Sequence, residues 1–168
     1  MVRRVSGQPL DPFLRTEIFE PLDLDMVVEP DAAVPGKAVS YRGSSANYEA
    51  VDHHWEQVGD GAIQTTPAEL ARWGDNYRTA EVGGADWQAA VLAEAVAMPP
   101  GPGGEKYRYG AGISQDEDGW LGHPGHWEGF VTSFWVSPDR ATTLAVACNK
   151  EFDTTDLTRS LLDLWAPP

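Results

Sequence analysis

Cysteine is nearly missing from this chain of 168 residues. Cys148 stands alone in the apolar stretch TTLAVACN, so no internal disulfide can form and the redox compartment stays open. In that setting it reads as a buried, inert thiol. Basic residues are scarce too: 12 Lys and Arg stand against 26 Asp and Glu, a formal charge of −14. With so little to neutralise phosphates, nucleic acid is not an expected partner, and docking on an anionic membrane is disfavoured. No apolar stretch approaches the roughly 20 residues that a membrane-spanning helix needs. The opening MVRRVSGQP carries two Arg but no signal-peptide apolar core, so the default expectation is a cytoplasmic protein.

Several catalytic signatures are missing as well. There is no Gly-x-Ser-x-Gly nucleophile elbow. The lysines are Lys37, Lys106 and Lys150, and the residues three before them are Val34, Gly103 and Ala147, so no Ser-x-x-Lys occurs. No Tyr-x-Asn occurs either. Ser45-Ala46-Asn47 is a Ser-x-Asn with no nucleophile upstream and reads as a chance match.

What is present fits one α+β domain over residues 1–168, helical and irregular over 1–98, with strands and a carboxy-terminal helix over 105–168. The 42% hydrophobic content is enough for a real core, and seven Trp suggest large packing units or an aromatic-lined cleft. The first segment reads as two helical pieces broken at Gly7 and Pro9, the second capped by Asp11 with Pro12 at its first position and ended by Pro21. The first piece has no capping residue before it and reads as the tail of a longer helix. Residues 23–60 show little periodicity and read as a long irregular excursion. TTPAELARWGDNY predicts a helix with Thr66 as N-cap, Pro67 first, Glu69 completing a capping box, and Leu70, Trp73 and Tyr77 on one face. A second helix is expected over 86–97, with Trp87, Val91 and Leu92 inward, ended by PPGPGG. KYRYGAGI, VTSFWVS and TTLAVACN read as about three antiparallel strands, the last two joined by a type I turn at Ser137–Arg140. TTDLTRSLLDLW predicts a helix capped by Thr154 or Thr155, with Leu157, Leu161, Leu164 and Trp165 as its apolar stripe.

The stretch GHPGHWEGF, residues 122–130, holds two of the four histidines. A shared metal on His123 and His126 needs a helix or tight turn, which Pro124 and Gly125 oppose. His53 and His54 are adjacent and point opposite ways on an extended segment. No metal is therefore assigned. Read as a strand edge, the stretch lets a ligand lie against Gly125, aims the following N–H at a developing oxyanion, and presents His123 to the same cleft. The competing reading is a Gly-rich turn with surface histidines.

The order of four segments carries more than any one of them. VSGQPLDPFLRTEIFEPLDL, GDGAIQTTPAELARW, YGAGI and GHPGHWEGFVTSFWVSPDRATTLAVACN together resemble the carboxy-terminal half of the serine β-lactamase-like family, which includes class C β-lactamases, DD-peptidases and related esterases. The resemblance runs from about Val2 to Asn149. By that resemblance His123-Pro124-Gly125 corresponds to the family's third motif, in its His-x-Gly form, on the strand bordering the cleft. It implies catalytic roles for His123, Gly125 and the backbone N–H of His126 as second oxyanion donor, with Pro124 and Trp127 at the substrate. EGFVTSF matches the family's continuation at Gly129, Phe130 and Ser133. The family's Ser-x-x-Lys and Tyr-x-Asn are expected before Met1. The resemblance implies an amide or ester substrate handled through an acyl-enzyme without a cofactor, in a chain inactive alone because the nucleophile is absent. A sheet lacking its first strands leaves an edge and an apolar face to be covered, by an amino-terminal fragment or a second copy. The alternatives are a non-catalytic binding module and a small histidine metalloprotein.

Overall fold

A computed structural model describes residues 1–29, 34–51, 58–101 and 104–165. The chain opens with α1 (Val2–Ser6), closed by Gly7 at φ 77°, and α2 (Leu10–Leu14), which runs into a π-helical turn (Arg15–Phe19). The break at Gly7 and Pro9 is as expected, but Pro9 itself occupies the cap position, and Asp11 and Pro12 lie inside α2. Proline already holds a φ compatible with that entry, and no side chain caps it. The helical path continues through Phe19, whose side chain is buried with Leu24, Met26 and Val28.

The excursion after Leu22 contains short pairings that weak periodicity conceals. They are β1 (Val27–Val28) with β4 (Ile63–Gln64), and the hairpin β2 (Tyr41–Ser44) with β3 (Asn47–Ala50). α3 (Pro67–Thr79) starts as the sequence predicts: Thr66 accepts a hydrogen bond from the Glu69 N–H at 3.2 Å, with Pro67 at the first position. The Glu69 carboxylate is engaged elsewhere, by the Asp25 N–H at 2.8 Å and by Arg72 at 3.0 Å. α4 (Ala85–Leu92) is shorter than predicted, because β5 (Val96–Ala97) follows it.

Then comes an antiparallel sheet of six strands rather than about three. Its further members are β6 (Tyr107–Tyr109), β7 (Ser114–Asp116), β8 (Leu121–Trp127), β9 (Phe130–Val136) and β10 (Thr143–Cys148), in spatial order β10-β9-β8-β7-β6-β5. β5, β6 and β7 are two or three residues long, too short to show a period of two. The KYRYGAGI strand accordingly stops at Tyr109, and a turn through Gly110–Gly112 leads into β7. The turn at Ser137 closes as predicted, with the Arg140 N–H on the Ser137 carbonyl at 2.9 Å.

α3 crosses β9 and β10 closely. A Cβ at Gly74 would stand 2.2 Å from Thr143 Oγ1, so only glycine admits this approach. Tyr77, Ile113, Leu121, Phe134 and Val136 form the main core, flanked by Leu70, Trp73, Trp87, Val91 and Leu92. The rings meet edge-on or tilted, Tyr77 lying 4.9 Å from Trp87 and 6.2 Å from Phe134. Burial pushes the Tyr77 phenol up to about 12. Trp73 touches both this core and the Phe19 cluster.

The last helix, α5 (Thr155–Trp165), is entered by Asp153, whose carboxylate accepts the Thr155 N–H at 2.9 Å; the Thr155 side-chain hydroxyl foremost, and this N–H after it, hold its pKa below the usual range. Thr154 stands immediately before the helix, its carbonyl accepting the Thr158 N–H at 2.8 Å, while the side-chain contact at the entry comes from Asp153. Its docked side is Thr158, Leu161 and Leu162, while Leu157, Leu164 and Trp165 are exposed, the last two by 74% and 73%. The expected stripe therefore points only in part at the sheet. α5 lies beside β10.

This orientation predicts a sharp contrast. Leu121→Ala, at a position 1% exposed, is expected to cost about 2–5 kcal/mol by cavity formation, and Leu164→Ala at most about 0.5 kcal/mol. Urea unfolding of the two variants checks it.

Candidate functional site

β8 carries all five residues that the sequence singled out. It pairs with β9 along its whole length, from Leu121↔Val136 to Trp127↔Phe130. On its other side β7 pairs only with Leu121 and Gly122. From His123 to Trp127, that second edge has no strand against it among the described residues.

What this edge presents follows from the turn. Glu128 and Gly129 join β8 to β9 with φ of 24° and 81°. A two-residue hairpin loop with both central residues at positive φ closes on a hydrogen-bonded pair, here Trp127↔Phe130. Alternation then makes Gly125↔Thr132 and His123↔Phe134 hydrogen-bonded pairs, and His126↔Val131 and Pro124↔Ser133 non-bonded ones. Proline has no N–H and is tolerated in a paired strand only at such a non-bonded position, so Pro124 supports the same parity. The N–H and C=O of His126 therefore point out of the open edge.

Side chains alternate faces along β8. Leu121, His123, Gly125 and Trp127 share one face, and Gly122, Pro124 and His126 the other. The two histidines of the motif are thus separated by the strand itself. His123 is half-buried and its Nε2 lies 2.9 Å from the Tyr109 hydroxyl, with the rings 5.6 Å apart edge-on. Its Nδ1 bonds the carbonyl of Pro124. His126 is exposed, and its Nε2 lies 2.7 Å from Glu151 Oε2. Among the described residues no group of three or more metal-ligating side chains is gathered. His53 and His54 lie outside the described residues.

Gly125 is tightly packed by its own hairpin. A Cβ there would stand 2.2 Å from Oγ1 of Thr132, its cross-strand partner. The missing side chain leaves the backbone bare beside the outward His126 N–H. Pro124 is exposed at the same edge, and Trp127, 37% exposed, ends the strand on the face of Gly125. Ser133 is buried and accepts from Trp135 Nε1 at 2.9 Å, a packing role.

Glu151 escaped the sequence reading. It follows β10, and one of its oxygens accepts the Gly129 N–H at 3.0 Å while the other meets His126. These contacts, the Gly129 N–H foremost, lower its pKa. Gly129 also packs on the start of β2: a Cβ there would come within 2.8 Å of the Tyr41 carbonyl. Tyr41 in turn donates its N–H to the Asn149 carbonyl at 2.9 Å. Lys150 reaches the Tyr48 hydroxyl at 3.1 Å and lies 5.5 Å from the Phe152 ring. An aromatic rim thus stands beside the turn. Of the residues around β8, Gly129 and Tyr109 had a visible signal, in the EGFVTSF and YGAGI segments, and Glu151, Tyr41 and Tyr48 had none.

The family model described as Beta-lactamase matches residues 1–164. Comparison with curated proteins gave no match. Among solved structures, a penicillin binding protein from Bacillus halodurans aligns with TM-score 0.81 and 16% identity, over 98% of this chain and 52% of that one. A D-stereospecific amidohydrolase from Streptomyces sp. aligns with TM-score 0.71 and 17% identity, over 99% and 51%. The octameric penicillin-binding protein homologue from Pyrococcus abyssi aligns with TM-score 0.76 and 18% identity, over 97% and 39%. The chain spans about half the length of the first two. At these identities the likeness is one of fold.

Two outcomes follow. Gly125→Ala is expected to destabilise by about 1–3 kcal/mol, and Thr132→Ala in the same chain to recover much of it; a double-mutant cycle from urea unfolding reads the coupling. Because the Glu151 pKa is depressed on folding, its contacts are complete above the ordinary glutamate value and are lost as pH falls through the lowered one. The Gly129 amide resonance is expected to titrate across that acidic window, and to stop doing so in Glu151→Gln.

Proposed function

The chain belongs to the β-lactamase family, and on that premise we propose that β8 is one wall of an acyl-transfer site. The observation that carries this is the outward N–H of His126 on an edge with no strand against it among the described residues, next to the bare backbone of Gly125. A carbonyl lying along that edge would receive this N–H as its oxygen becomes negative, the preorganised stabilisation that acyl transfer needs. His123 stands at the same edge, with Pro124 and Trp127 bounding the space a substrate would fill.

The remaining parts, an activated serine, a base for its proton and the other oxyanion donor, come from outside these 168 residues, in an amino-terminal segment either continuous with this chain or separate. The substrate class is an amide or ester. The amidohydrolase and penicillin-binding proteins of the same fold support it by analogy. The same segment, or a second copy, covers the exposed stripe of Leu157, Leu164 and Trp165. The octameric assembly of the Pyrococcus abyssi homologue supports self-association as one route.

Alone, the chain is expected to hydrolyse neither a chromogenic β-lactam nor a nitrophenyl ester. Expressed with an upstream segment carrying Ser-x-x-Lys and Tyr-x-Asn, it is expected to turn over at least one of them. Hydrolysis by the isolated chain that His123→Ala abolishes would overturn the proposal.

A further inference from the structure

We infer that Tyr109 is a positioning residue that holds His123 in a single tautomer and thereby sets what the open edge of β8 offers. The inference rests on the reading of β8 as a cleft wall only for its catalytic meaning; its geometry stands independently.

A carbonyl oxygen can only accept, so the contact between His123 Nδ1 and the Pro124 carbonyl requires the proton on Nδ1. In the neutral ring Nε2 then carries the lone pair, and the group 2.9 Å away, the Tyr109 hydroxyl, must donate to it. The edge-on ring contact at 5.6 Å holds the two planes in that relation. Tyr109 reaches this point because β6 ends there and the turn at Gly110–Gly112 sits beyond the last paired residue of β8. The chain of bonds runs from the Tyr109 O–H through the imidazole to the carbonyl of Pro124.

The consequence concerns the edge. Pro124 is a non-bonded residue relative to β9, so its carbonyl points outward with no N–H beside it. His123 takes up that carbonyl. Between His123 and Trp127 the edge then keeps one outward donor, the His126 N–H. Removing the Tyr109 hydroxyl frees Nε2, lets the proton move to it, and turns the Pro124 carbonyl loose as a competing acceptor at the edge.

The test needs no turnover. In the chain labelled with 15N-histidine, above the titration range of histidine, long-range 1H–15N spectra report which ring nitrogen carries the proton. His123 is expected as the Nδ1–H form, and Tyr109→Phe is expected to shift it toward Nε2–H. A His123 already in the Nε2–H form in the unaltered chain, or one that stays Nδ1–H in Tyr109→Phe, overturns the inference. Should Tyr109→Phe fail to fold, the tautomer of the unaltered chain and a slowly exchanging Tyr109 hydroxyl proton coupled to His123 decide it alone: the Nδ1–H form with that proton supports it, and any other result overturns it. Failure of hydrolysis with a completed site, alongside the Nδ1–H tautomer, would count against acyl transfer and leave this positioning role intact.

Discussion

The register between β8 and β9 is the constraint on which the site depends. Side-chain direction and hydrogen-bond direction both alternate along a strand, so a slip of one residue would exchange every role. Pro124 would then face β9 as a bonded residue without a donor, and the His126 N–H would turn inward. The two-residue turn at Glu128–Gly129 sets this register, and it is held from three sides. Glu151 takes its amide, Tyr41 packs against the glycine, and Gly125 lies tight against the Thr132 hydroxyl across the pair. A turn with a non-glycine residue at φ 24° needs such support.

Behind the strand, the core supplies rigidity. Leu121 and Phe134 lie under the same face as His123 and pack into the aromatic group of Tyr77, Trp73 and Trp87. α3 can approach the sheet so closely only because Gly74 leaves room for Thr143. The buried Asn76 binds both the N–H and the carbonyl of Val82, fixing the exit of that helix and the start of the segment that leads to α4. The edge of β8 is therefore open but not loose: its backbone is anchored by apolar packing on one side and by β9 throughout.

Much of this was legible in the chain. Thr66, Pro67 and Glu69 marked the start of α3 because caps act locally. The long strands β9 and β10 showed their β-branched and aromatic composition, and Ser137–Arg140 showed its turn chemistry. The family resemblance pointed to His123, Gly125 and His126 as candidates. The short strands β5 to β7 were not legible, since two or three residues carry no period. Glu151 and Thr132 were invisible for a different reason: each acts on a residue distant in sequence, and an isolated Glu after a strand resembles any solvated carboxylate. The α5 stripe misled because amphipathicity shows that a face is apolar, not what covers it.

The amino-acid order alone determined which of the longer segments are helical or extended, where several of them stop, and that GHPGHWEGF has glycine and proline inside a candidate strand. These are local properties, governed by caps, φ restrictions and side-chain period. Only the tertiary structure decided that β7 leaves β8 at Gly122, that the His126 N–H faces the open side, and that Tyr109 and Glu151 take the two histidines in opposite directions. Those facts depend on register and on contacts between residues far apart in sequence. They exist only once the chain has closed on itself.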